Sequence, residues 1–110
     1  MDIQTQSPAR IPVFEYYHLL LSFQPEDHAP VRIYAHFGDK ANKVLISFER
    51  GVFRQAEIEA VDGHEALDQE DRERFLLLID MYLSDIVRAW IDHFVFHKPI
   101  SREVIMRRIN

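Results

Sequence analysis

The residues best equipped for chemistry are gathered in one stretch of the chain, from Pro25 to His36. Pro25-Glu26-Asp27-His28-Ala29-Pro30 reads as a proline-bounded turn, and Val31-Arg32-Ile33-Tyr34-Ala35-His36 as the strand that it feeds. Side chains along a strand alternate between its faces. His28, Arg32, Tyr34 and His36 therefore fall on one side, and Val31, Ile33, Ala35 and Phe37 on the other. A guanidinium recognises phosphate or carboxylate, and a phenol and an imidazole add donors, so the stripe reads as a site for an anion or a nucleotide end. Tyr16 and His18, on the preceding strand, would extend it.

Two functional classes fit that stripe. As an enzyme, the chain would be a small metal-independent RNase-like toxin with His28, Arg32 and His36 as acid, anion clamp and base. As a binding module, it would present a half-exposed sheet face to a second copy or a small protein partner, since Tyr and Arg are enriched at interfaces. The second, non-catalytic reading is the one the sequence favours. His28 lies between Asp27 and Pro30, where it also suits a strand end, and adjacent strand residues point apart, which makes Asp27 a poor orienter of the imidazole.

Composition narrows the remaining classes. The 110 residues contain no cysteine, which removes disulfides, thiol catalysis and thiolate metal sites and fits a cytoplasmic protein. A net charge of −5 argues against nucleic acid as a partner. No apolar run is long enough to span a bilayer, so no membrane partner is expected. With three glycines in the chain, a phosphate-cradling loop is not expected, and no cofactor motif is present. His93 and His97 are four apart, as two metal ligands on one helix face would be, but no third ligand follows and no metal site is assigned. Eight acids fall between Glu57 and Glu73, whereas Arg102, Arg107 and Arg108 crowd the tail; a solvated face and a solvated terminus account for both.

The elements that must position the stripe follow from periodicity. After a polar, disordered lead-in over 1–10, strands are expected within 11–58. They are a long first strand from Val13 to Phe23, then Val31–Phe37, Val44–Phe48 and Val52–Ile58, with Gly51 supplying a positive φ at the last turn. On the first strand, Val13, Tyr17, Leu19, Leu21 and Phe23 should face the core. Phe14 and Tyr16 should join Tyr34, Leu45 and Phe53 on a second face too apolar to be left wet. Asp68 reads as a helix N-cap, and Phe75, Ile79, Tyr82, Ile86, Trp90 and Phe94 recur at helical spacing, predicting one helix over 68–96. A short tail element over 100–109 completes one domain. The fold class expected is α+β: a four-stranded antiparallel meander packed on one long C-terminal helix.

This order of elements, with Asp27, His28 and Pro30 on the first, second and fourth positions of a D-H-x-P-P-H-x-H pattern, resembles the small bacterial domain of unknown function 4160. Trp90 falls where the family's helix closes on a tryptophan, and Lys98-Pro99-Ile100 falls in its proline-bearing tail. Val31 stands in place of the second proline, and Arg32 and Tyr34 in place of the two later histidines. The resemblance implies a small accessory protein, of a kind found in two-gene, toxin–antitoxin-like arrangements, and a fold more than a function.

Overall fold

Aromatic and β-branched residues dominate the chain up to Ala60 and form strands, whereas the apolar positions recurring after Asp68 form helices. The structure is a computed structural model that describes residues 11–24, 31–100 and 103–105. Its elements are β1 Ile11–Tyr16, β2 Leu19–Phe23, β3 Val31–Phe37, β4 Lys40–Glu49, β5 Val52–Ala60, α1 Gln69–Met81, α2 Leu83–Phe94 and β6 Glu103–Ile105. The lead-in, the Asp27-His28-Ala29-Pro30 motif and the tail arginines Arg102, Arg107 and Arg108 lie outside the described residues.

The class is α+β, but the expected four-stranded antiparallel meander is replaced by a six-stranded mixed sheet in the order β5-β4-β3-β2-β1-β6. Two departures account for the difference. First, the run from Val13 to Phe23 is a hairpin rather than one strand: the backbone reverses at Tyr17, which takes a φ of 52°, and Tyr16 then pairs with Leu19. No Gly, Pro or Asn announces that turn. Second, the tail supplies β6, which pairs with β1 in parallel and gives the sheet its mixed character.

The reversal, and a register irregularity between Pro12 and Phe14, change which residues of β1 face inward. Phe14 and Tyr16, expected on the second face, are buried in the core at 3% exposure, while Tyr17, expected in the core, is 58% exposed. A second irregularity lies between Ser47 and Phe48 and sets Phe53 opposite Phe48, so Phe53 too departs from its expected place beside Tyr34 and Leu45.

The long helix is likewise two. Asp68 caps α1 as expected, its carboxylate accepting the Asp71 N–H at 2.9 Å. The helix then breaks at Tyr82 (φ −117°, ψ 24°), whose ring packs on Phe14 with centroids 5.2 Å apart. No proline or glycine marks the break. The run also stops at Phe94, short of the expected residue 96, and His97 follows in the left-handed region (φ 58°). Phe75, Leu78, Ile79, Ile86 and Trp90 turn inward onto Leu19, Leu21, Phe23, Ile33, Val44 and Ile46, all fully or nearly fully buried. That packing is the main driving force of the fold, because burying each such side chain contributes about 1.5–3 kcal/mol.

Candidate functional site on the outer sheet face

Strand pairing assigns every chemically interesting residue of β3 to a face. Residues directly opposite one another on neighbouring strands share a face. Ile33 pairs with Val44, and Ala35 lies opposite Leu21, all on the side covered by the helices. Arg32 lies opposite Leu45, Tyr34 lies between Ser22 and Lys43, and His36 lies between Leu20 and Ala41, all on the other side. The alternation predicted for Val31–Phe37 therefore does set Arg32, Tyr34 and His36 in one stripe, the outer face.

Within the stripe the rings are close. Tyr34 and His36 stack with centroids 6.4 Å apart and 15° between planes, and His64, from the loop after β5, meets His36 edge-on at 6.0 Å. The loop is held there by the Ala41 N–H, which donates to the Glu65 carbonyl at 2.8 Å, and by Asn42 Oδ1, which accepts from the Leu67 N–H at 2.9 Å. His36 is only 5% exposed, whereas Arg32, Tyr34, Lys43, Leu20 and Leu45 are half-buried. An acid or base must reach its substrate. A ring this enclosed is poorly placed for that, and His28 lies outside the described residues.

Tyr16 and His18 do not belong to this stripe. Tyr16 is buried on the helix side, and the His18 imidazole reaches α1, its Nε2 lying 2.7 Å from Asp71 Oδ1. A carboxylate only accepts, so Nε2 carries the proton. The guanidinium of Arg74 donates to the same oxygen at 2.9 Å. That hydrogen bond is the first cause that raises the Arg74 pKa above its ordinary value, with Coulombic help from Asp71, Glu70 and Tyr16 and opposition from desolvation. The edge of the His18 ring packs on Phe37, centroids 4.6 Å apart.

Sequence reasoning missed this cluster. Asp71 passed for one of eight solvated acids, yet its side chain is 4% exposed, whereas the other seven are exposed. The local signal was modest: a histidine interrupting an apolar run, and an acid at the third position after a capping Asp68. An imidazole oriented by a buried carboxylate is half of a nucleophile-activating arrangement. Among the described residues, however, His18 hydrogen-bonds to Asp71 alone, and no hydroxyl stands ready for activation. What the cluster does is tie the β1–β2 turn to the start of α1.

The helix-end histidines are also separated. His93 faces the Lys98 carbonyl at 3.2 Å, and the left-handed His97 lies beyond the helix, so the two do not share a helical face. Among the described residues no three His, Asp or Glu side chains gather to hold a metal ion, and no helix is long and apolar enough to cross a membrane. The chain matches no protein-family model, no curated protein and no solved structure.

Proposed function

We propose that the protein is a non-catalytic interaction module that self-associates through the outer face of its sheet. One observation carries this reading: both helices pack on the same side, while the opposite side presents Leu20, Tyr34 and Leu45 in a row with Arg32 and Lys43. A solvated sheet face is ordinarily polar. Half-buried Tyr and Leu framed by Arg and Lys instead have the composition of an interface core and its rim. The net charge of −5 and the enclosure of His36 favour this reading over the RNase-like alternative. The resemblance of the Asp27-His28-x-Pro30 turn to the domain of unknown function 4160 belongs to the same proposal, as kinship with small accessory proteins.

Sedimentation velocity of the full chain over a concentration series is the test. Self-association is expected at micromolar concentration and should be weakened in Tyr34→Glu and Leu45→Glu. A wild-type protein that stays monomeric throughout the series overturns the proposal.

A further inference from the structure

Two surfaces far from the outer face remain apolar where a solvated protein would be polar. The first is the tip of the β4–β5 hairpin. Ile46 is the last β4 residue opposite β3, and among the described residues β4 beyond it pairs only with β5. Among the described residues the tip is a two-stranded ribbon. Arg50 and Gly51 both take positive φ (54° and 80°), the tight reversal whose twist matches a right-handed ribbon and holds it stiff. On it Phe48 is 40% exposed, Phe53 41% and Val52 64%, the two rings meeting edge-on at 6.3 Å. Arg50 and Arg54 flank them; Arg54 shares Glu49 at 3.2 Å, so the tip's uncompensated charge is the positive one of Arg50 within a chain of net charge −5.

The second surface is the outward side of α1. Phe75, Leu78 and Ile79 satisfy the core, yet Leu76, Leu77 and Met81 point away from it with exposures of 36%, 40% and 43%. Glu70, Glu73 and Asp80 are exposed around them. A helix that is apolar on both sides is ordinarily covered on both. Because the tip and α1 are each exposed, neither covers the other within one chain.

We propose that the hairpin tip of one copy docks on the outward side of α1 of a second copy. The tip is apolar and basic, whereas α1 is apolar and acidic, so like would not bind like but each would bind the other. Phe48, Val52 and Phe53 lie against Leu76, Leu77 and Met81, with Arg50 facing Glu73 and Asp80. Each copy carries one tip and one helix, so the contact can form reciprocally about a twofold axis, beside self-association through the outer face. This contact uses none of the outer-face residues and stands or falls separately from that reading.

Photo-crosslinking of the full chain carrying benzoylphenylalanine in place of Phe53 tests it. The expected product is a crosslinked dimer whose adduct maps to Leu76–Met81. Val52→Asp should reduce its yield about tenfold or more, as loss of a central anchor does. Arg50→Glu should reduce it likewise, and Arg50→Glu combined with Glu73→Arg should restore it, which a merely misfolded tip would not allow. Tyr34→Glu should leave the tip crosslink unchanged. Adducts mapping elsewhere, absence of any crosslinked dimer, or failure of the reversed pair to restore the yield each overturn the proposal. So does co-sedimentation of the tip with vesicles of anionic phospholipid in place of a crosslink to α1.

Discussion

The two sides of β3 are built from alternate residues of one seven-residue strand, and they answer to different demands. Val31, Ile33 and Ala35 are buried under the helices, where shape and volume decide what is tolerated. Arg32 and Tyr34 are half-buried opposite Leu45 and Lys43, where nothing in the helical layer constrains them. The inner side holds the fold together; the outer side is the one on which the proposed self-association rests. On that proposal, stability and recognition are separable on this strand at the resolution of a single residue.

Substitutions can break that separation or sharpen it. The largest effect is expected from the helix residue that seals the inner side. Phe75→Ala, at a site with 0% exposure, should cost about 3–5 kcal/mol in urea unfolding. A loss under about 1 kcal/mol would mean that the inner layer is not the one carrying stability. Next comes Asp71→Ala, which leaves His18 and Arg74 without their shared acceptor. It should cost about 2–3 kcal/mol, less than a fully buried pair, because the His18 side chain is 38% exposed. Faster amide exchange in the first turn of α1 would localise the damage. Asp68→Ala removes only the cap bond to the Asp71 N–H, and about 1 kcal/mol is expected from the same unfolding measurement. The smallest stability effect belongs to the outer side. Tyr34→Glu should change unfolding by no more than about 0.5–1 kcal/mol while weakening the proposed outer-face self-association in sedimentation. Should it unfold the protein instead, the two sides are not separable and the outer stripe is part of the core.

How much of this was readable in the chain depends on whether the deciding interaction was local. The alternation of Val31–Phe37 placed Arg32, Tyr34 and His36 together because period two is a property of the backbone. The Asp68 cap and the apolar spacing of Phe75, Ile79, Ile86 and Trp90 were legible for the same reason. The turn at Tyr17 was not, since a tyrosine at positive φ is dictated by what the two strands gain from pairing, not by its own preference. The break at Tyr82 answers to Phe14, 68 positions earlier in the chain. His18 and Asp71 are 53 residues apart, and only the folded sheet reveals that one acid in a run of eight is buried. Tyr16 and His18 lie away from the outer stripe because the chain reverses at Tyr17 and the His18 ring is drawn to Asp71.

The pairing of β6 with β1 sets Phe14 beside Glu103, so the sheet's last ladder joins residues 89 positions apart. Loop closure over such a span is slow compared with the neighbouring hairpins β1–β2, β3–β4 and β4–β5. During synthesis β1 leaves the ribosome long before β6 exists, and its outer edge must wait unpaired while the rest of the sheet assembles. Strand β6 thus acts as a latch on biosynthesis: until Glu103–Ile105 is made, β1 lacks the parallel neighbour that it has in the folded sheet.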